Sequence, residues 1–138
     1  MTTFREPSVH LLQTWQIELG PYLSPSQVAQ SLNVTCNDVF ALARRRELLE
    51  LRDSDSRPVY PLFALVGGGR DIKRIPWLRL ILDALGRSCP EPWLWALWLS
   101  GWNPKHNGCP PIESAEEHPT RTIELARNED WSWTSRYF

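Results

Sequence analysis

Residues 91–102 read EPWLWALWLSGW and place four of the chain's eight tryptophans within ten positions. A proline at the start and a glycine near the end predict a helix here. With 100° between successive residues, one face carries Trp95, Trp98 and Trp102, and the opposite face carries Trp93 and Leu97. A helix with so little polar surface must be covered on two sides, either by its own chain or by a second subunit.

The chain has 138 residues, of which 42% are hydrophobic, enough for one ordinary domain or two small ones. No stretch approaches the roughly 18 consecutive apolar residues of a membrane helix. The first residues also lack the basic-then-apolar order of a secretory signal. We therefore expect a cytoplasmic protein without a membrane partner.

The net charge of −1 hides a basic excess in the middle of the chain. Residues 22–76 hold eight basic and six acidic side chains, and three arginines are consecutive at positions 44–46. A protein that binds nucleic acid through charge alone is usually far more basic. Any binding to DNA therefore depends on a small basic patch.

The three cysteines contain no CxxC pair, which favours reduced thiols over a disulfide framework or a ribbon-type zinc site. The segment HNGC together with Cys89 and His118 offers four zinc-ligating side chains, but their spacings match no standard zinc module. The three histidines lie in unrelated contexts, and no catalytic set has a supporting motif. We expect no metal, no cofactor and no enzymatic activity.

Two helix starts between residues 24 and 48 are clearly marked. Ser24 is a candidate N-cap followed by Pro25 and Gln27, and Thr35 repeats the pattern with Asp38. Residues 1–21 form a separate N-terminal helix in this interpretation, with apolar side chains at helical spacing over residues 8–19.

The two short helices have the layout of a helix-turn-helix. Val28 and Ala29 fall where such helices cross, Asn33 falls in the turn, and Val39 and Leu42 face the first helix. Asn33 suits the turn because asparagine adopts a left-handed backbone more easily than most residues. A plain αα-hairpin is the alternative that this spacing leaves open.

Residues 47–61 alternate a short apolar strand, the polar turn DSDS and a second strand, which predicts a β-hairpin. A hairpin directly after the second helix predicts a winged helix-turn-helix over residues 22–66. The triple glycine that follows has no phosphate-loop context, so residues 67–76 are interpreted as a flexible, glycine-rich joint. The predicted fold class is mainly α, with this unit followed by a small all-helical domain.

The second helix of the pair would present one face to DNA bases. The side chains predicted to read base edges, because they point away from the packing face, are Thr35, Asn37, Ala41 and Arg44. The side chains predicted to contact phosphates are Ser26, Gln27, Arg45, Arg46, Arg52 and Arg57. A solvated charge run at a helix end is the alternative explanation for the arginines.

Residues 77–138 are predicted to form helices and an aromatic tail, including Tyr137 and Phe138. The predicted dimer or partner interface consists of Trp95, Trp98, Trp102, Trp131 and Trp133. Packing of the same side chains in the chain's own core is the alternative.

The order of several short motifs between residues 24 and 128 is distinctive. After the helix-turn-helix and the triple glycine come Pro92-Trp93, Trp98-Leu99, Asn103-Pro104, Asn107-Gly108 and Pro111-Ile112-Glu113. Together they resemble a family of bacterial winged-helix proteins whose C-terminal helical domain is similar to the toxin-binding region of the ParS/MbcA/Xre antitoxins. The resemblance implies an N-terminal DNA-binding unit, a C-terminal unit for self-association, and a link to plasmids, phages or other mobile elements.

Two functions follow as expectations. The first is a sequence-specific transcriptional regulator that binds double-stranded DNA as a homodimer and recognises an inverted repeat. The alternative is an antitoxin that neutralises a RES-type toxin and represses its own operon, in which case the main partner is a protein.

Overall fold

The computed structural model describes residues 8–104, 106 and 108–136, so Tyr137 and Phe138 of the predicted tail lie outside the described residues. The first half contains α1 (Val9–Leu19), β1 (Tyr22–Leu23), α2 (Pro25–Leu32), α3 (Cys36–Arg44), β2 (Leu51–Arg52), β3 (Pro58–Pro61) and α4 (Phe63–Val66). The second half contains α5 (Leu78–Gly86), α6 (Pro92–Ser100), α7 (Pro111–Glu117), α8 (Pro119–Arg127) and a 3₁₀ helix (Ser132–Arg136). The mainly helical fold predicted from the sequence is confirmed, and a small antiparallel sheet accompanies the helices.

The helix starts predicted at residues 24 and 35 are both capping boxes. The Gln27 backbone N–H donates to Ser24 Oγ (3.2 Å), and the Ser24 N–H donates to Gln27 Oε1 (2.8 Å). The same reciprocal bonds join Thr35 and Asp38 at the start of α3. These bonds satisfy backbone donors that a helix cannot pair internally, which is why each helix begins where the sequence predicts.

The sheet has three strands in the order β1-β3-β2. The predicted hairpin is confirmed, with Leu51 opposite Val59, and its turn is built on Asp53, whose Oδ1 accepts the backbone N–H groups of Asp55 (2.9 Å) and Arg57 (2.8 Å). Strand β1, in which Tyr22 pairs with Pro61, is not predicted by the sequence pattern. Two residues are too few to show the alternating pattern by which a strand is recognised.

Two hydrophobic clusters organise the chain. The smaller lies between α2, α3 and the sheet and contains Val28, Ala29, Val39, Leu42, Leu48, Tyr60 and Leu65. The larger is built mainly by α1, by the helices from α5 onward and by the tail, and it also includes Leu49, Leu51 and Ala64 from the first half of the chain. We call residues 22–66 the N-terminal unit, and α1 with the residues from α5 onward the helical unit.

Helix α1, which the sequence predicts as an N-terminal helix, packs in the larger cluster. Trp15 is fully buried in the larger cluster, and its ring lies 6.3 Å from the ring of Trp93 on α6. The sequence predicted the helix but could not show its partner, because the apolar face of α1 is equally compatible with any other apolar surface.

Residues 67–76, interpreted from the sequence as a flexible joint, form hydrogen bonds to α4 and α7. The Lys73 N–H donates to the Leu65 carbonyl (2.8 Å), and the Gly68 N–H donates to Glu116 Oε1 (3.3 Å) on α7. Gly67 has a φ of 59°, and a Cβ added there would meet Glu116 Oε1 at 2.5 Å. The positive φ favours glycine here, whereas the Glu116 carboxylate is the end of a flexible side chain and could shift.

Helix α6 is covered on all sides by its own chain. Every residue from Trp93 to Leu99 is buried, and its three buried tryptophans donate their indole N–H groups to the Arg52 carbonyl, the Cys89 carbonyl and Glu129 Oε2, each at 2.9 Å. Paired in this way, a tryptophan can be buried without the cost of an unsatisfied donor.

The tail covers part of this helix. Trp131 and Trp133 are buried, and Glu129 Oε1 accepts the Trp131 backbone N–H (2.8 Å) and the Trp133 indole N–H (3.3 Å). Of the five tryptophans predicted to form an interface, Trp95, Trp98, Trp131 and Trp133 thus lie inside the chain's own core, and Trp102 is half-buried. The core-packing alternative accounts for these four side chains because buried indoles leave no surface for a partner.

The longest described helix, α1, has 11 residues, and none in the described part of the chain is long and apolar enough to cross a membrane.

The left-handed conformation of Asn33 in the turn between α2 and α3 can be tested by substitution. Asn33 has φ 57° and ψ 48°, a left-handed conformation. We expect Asn33→Ala to lower the free energy of unfolding by about 1 kcal/mol, because a Cβ without a local polar partner is strained there. Asn33→Gly should change stability by only a few tenths of a kcal/mol, since glycine adopts this conformation freely. Urea unfolding measures both, with Gln30→Ala on α2 as the control. Equal losses for the two Asn33 variants would contradict the explanation.

Candidate nucleic-acid interface

The outer face of α3 carries three of the four predicted base-reading side chains. Asn37 and Arg44 are exposed and Ala41 is half-buried, while Val39 and Leu42 are buried in the smaller hydrophobic cluster. The structure therefore brings Asn37, Ala41 and Arg44 together on one accessible helix face. Among the residues that the structure describes, the Arg44 guanidinium forms no ion pair.

Phe40 lies at the edge of this face and was missed by the sequence analysis. It is half-buried and packs into neither hydrophobic cluster. The helical spacing that selected Asn37 and Ala41 could have included it. A partly exposed aromatic ring beside these polar groups can contact the methyl group of thymine.

Thr35, the fourth predicted base-reading residue, is exposed at the start of α3 and caps it. Its backbone N–H donates to Asp38 Oδ2 (3.0 Å), and its hydroxyl oxygen accepts the Asp38 backbone N–H (3.1 Å). Hydrogen bonding by Thr35, its backbone N–H first, holds the pKa of the Asp38 carboxyl below its ordinary value. Asp38 is thus a fixed negative charge at the first turn of α3. Its negative charge interacts favourably with the dipole of α3 and repels phosphates at the start of the helix.

Ser26 and Gln27, predicted to contact phosphates, lie exposed in the first turn of α2. Gln27 uses its side-chain oxygen in the capping box, and Ser26 Oγ shares a hydrogen bond with Ser24 Oγ (3.1 Å). Their arrangement leaves the start of α2 accessible, where the helix dipole favours an anion.

Arg45 is exposed but already paired. Its Nε lies 2.6 Å from Glu47 Oε2, and Arg74 approaches the other oxygen of the same carboxylate at 2.7 Å. These two arginines, Arg45 first, lower the pKa of Glu47. A phosphate would have to compete with this carboxylate for Arg45.

Arg46, which the sequence predicts to contact phosphate, is paired within the chain. Its backbone is left-handed (φ 61°), its Nη1 lies 3.2 Å from Asp83 Oδ1 on α5, and its guanidinium carbon lies 5.2 Å from the centre of the Trp95 ring. A Cβ added to Gly86 would lie 2.6 Å from Nη1. Arg46 therefore joins the end of α3 to α5 and α6, and its charge is occupied within the chain. Sequence alone could not separate it from Arg44 and Arg45, because the difference arises only from residues about 40 positions away.

The hairpin carries the remaining basic side chains. Arg52 is exposed and donates to the Ser56 carbonyl (3.1 Å), with Glu50 3.7 Å away. Arg57 is exposed near the tip, and its guanidinium forms no ion pair with any residue of the described ranges. Both side chains are placed on an edge of the N-terminal unit that solvent reaches.

The sheet behind these arginines is held by a buried tyrosine. The Tyr60 hydroxyl donates to Glu50 Oε1 (2.6 Å), and burial, followed by this carboxylate, raises the pKa of Tyr60. Tyr60 therefore remains a neutral donor that fixes Glu50 beside Arg52.

No group of three or more His, Cys, Asp or Glu side chains in the described part of the chain could hold a metal ion, and all three cysteines are free. Comparison of the chain with protein-family models, with curated proteins and with solved structures gives no match.

The contact between Arg46 and Gly86 predicts a thermodynamic coupling. Gly86→Ala forces the guanidinium away from Asp83 and Trp95, so we expect a loss of about 1 kcal/mol in the free energy of unfolding. In an Arg46→Ala background the same change should be neutral or stabilising by up to about 1 kcal/mol, because alanine is the better helix former. A double-mutant cycle by urea unfolding measures the coupling. If the changes in the free energy of unfolding caused by Gly86→Ala and Arg46→Ala simply add, the predicted coupling is absent.

The buried thiol predicts a pH dependence. Burial raises the pKa of Cys89 from its ordinary 9.0 to about 12. Desolvation, followed by Glu113, also raises the pKa of Cys109, but the Cys109 thiol is exposed to reagent. At pH 8 only about one Cys89 in ten thousand is a thiolate, so a thiol reagent should modify Cys109 rapidly and Cys89 only as the chain unfolds. Stability contributed by the neutral Cys89 thiol is present below about pH 9 and is lost as the pH rises towards about 12. Cys89→Ala is the control. The fast phase of thiol modification should keep its amplitude in this variant, and a smaller fast phase would contradict the prediction.

Proposed function

We propose that this protein is a sequence-specific regulator of transcription that binds double-stranded DNA, with residues 22–66 as a winged helix-turn-helix. The observation that carries the proposal is the exposed face of α3, with Asn37, Ala41 and Arg44 aligned on it. These are the residue types that hydrogen-bond to base edges or pack against thymine methyl groups.

The arrangement around α3 supports this assignment. Helix α2 packs across α3 through Val28 and Val39, and Asn33 makes the tight left-handed turn between them. The antiparallel hairpin β2-β3 follows α3 directly and pairs with β1. In winged-helix proteins, the second helix of such a pair enters the major groove and the hairpin lies beside the DNA backbone.

The electrostatic roles differ from those predicted by sequence. We assign phosphate contacts to Arg52 and Arg57 on the hairpin and to Ser26 and Gln27 at the start of α2, since these side chains are exposed. Arg45 can contact a phosphate only when its ion pair with Glu47 is broken. Arg46 is assigned as a positioning residue that fixes the end of α3 against the helical unit.

One α3 helix can contact only a few base pairs, so we propose that two copies read an inverted repeat with half-sites about one helical turn apart. Such a dimer would contact two successive major grooves on one side of the duplex.

Selection from random double-stranded DNA tests the proposal without knowledge of the target. We expect the purified chain to enrich a short inverted repeat. Arg44→Ala should then weaken binding to the selected site by about 10- to 100-fold at fixed salt, because a two-bond contact between arginine and guanine contributes roughly 1 to 3 kcal/mol. Binding to a scrambled duplex should change little, since base contacts carry the discrimination.

Arg127→Ala is the matched control, because it removes the same charge from an exposed position on α8. It should leave both affinities unchanged. The proposal is wrong if no sequence is enriched, or if the two arginine variants lose affinity equally on selected and scrambled DNA.

An antitoxin-like role is a second candidate, and one feature of the helical unit favours it. Leu125 on α8 is 50% exposed and lines a groove of about 300 Å³ with Pro111 and His118. An apolar side chain beside a groove is the kind of surface that a toxin would cover. Co-purification of a second protein that is lost on Leu125→Arg would support this candidate.

A further inference from the structure

Three large hydrophobic side chains are exposed in the described part of the chain. They are Ile17 on α1 (82%), Leu80 on α5 (54%) and Leu125 on α8 (50%). Leu80 differs from the other two in its surroundings, because it lies in a groove edged by charges of both signs.

This groove has a volume of about 720 Å³ and lies where the N-terminal unit meets α5. Pro76 and Leu80 contribute apolar surface to it, and its charged side chains are Glu47, Arg74, Arg79 and Asp83. Arg74 lies 2.7 Å from Glu47, and Arg79 lies 3.8 Å from Asp83, one helical turn away.

The charge pattern indicates the kind of partner. The groove lining carries two acidic and two basic side chains, and Arg45 and Arg46 contact the two carboxylates as well. A partner with charges of one sign would meet repulsion from half of the groove's charges. A second copy rotated by 180° can place each Arg79 opposite the partner's Asp83.

We propose that a second copy of this chain packs on this groove, with α5 antiparallel to α5 of the partner around a two-fold axis. The midpoint between Arg79 and Asp83 is level with residue 81, one residue from Leu80. Antiparallel packing about that level places each Arg79 opposite the partner's Asp83. It also places the two Leu80 side chains beside each other at the axis.

The apolar contact of Leu80 and Pro76 provides most of the attraction, since exposed ion pairs contribute little. The charges mainly set the antiparallel orientation. An interface centred on one short helix is at the small end of the range for specific contacts, so the expected dissociation constant is on the order of micromolar. This interface rests on the proposed function in one respect, because it supplies the two copies that an inverted repeat requires.

Mass measurement by sedimentation or light scattering across a concentration series tests the proposal. The unmodified chain should shift from 16.0 kDa towards twice that mass as concentration rises. Leu80→Arg should abolish the shift, and Arg79→Glu should weaken dimerisation at least 10-fold, because it places like charges opposite each other. Both positions are more than half exposed, so the fold tolerates the changes, and circular dichroism verifies this.

Leu125→Arg and Ile17→Arg are the matched controls, since each adds the same charge at another exposed hydrophobic position. Both should dimerise like the unmodified chain. The proposal is overturned if the unmodified chain stays monomeric up to about 1 mM. It is also overturned if Leu80→Arg still dimerises, or if either control is monomeric as well.

DNA binding is measured separately, so the two proposals can fail independently. A monomer that still selects a DNA sequence would overturn the α5 interface and leave the proposed function intact. A chain that dimerises through Leu80 but selects no DNA sequence would overturn the proposed function and leave the α5 interface intact.

Discussion

The complete burial of α6 is the constraint on which the rest of this fold depends. A helix with tryptophans around its circumference can be buried only if each indole N–H finds an acceptor. The acceptors lie far apart in the sequence: Trp93 bonds to the hairpin at Arg52, Trp95 to the loop before α6, and Trp98 to Glu129 before the tail. Helix α6 therefore joins the hairpin, α5 and the C-terminal tail into one packed structure.

This packing has a consequence for the proposed DNA interface. Trp93 bonds to the hairpin backbone, and Trp95 supports the guanidinium of Arg46 at the end of α3. The hairpin and α3 are the two elements that would contact DNA, and both are held against the same helix. The core tryptophans thus set the orientation of a surface to which they do not belong. A regulatory protein whose dimer must match a fixed half-site spacing needs such a fixed relation between reading helix and dimer surface.

Local features of the fold were predictable because their causes lie within a few residues. The capping boxes at Ser24 and Thr35, the left-handed Asn33 and the turn built on Asp53 each follow from side chains that bond to neighbouring backbone groups. The exposed face of α3 followed from helical periodicity in the same way. Periodicity could not find β1, which is too short, or assign α1 to the helical unit, because an apolar face does not specify its partner.

The sequence was sufficient to place the capped helices α2 and α3, the hairpin and the solvent-facing side of α3, but it did not indicate the short helix α4. Only the tertiary structure decided the role of individual arginines and tryptophans. Arg44 and Arg46 are two residues apart, yet one is exposed on α3 and the other is held by Asp83 and Trp95. Capping and periodicity act over at most one or two helical turns, whereas burial and ion pairing depend on which distant segments the fold brings together.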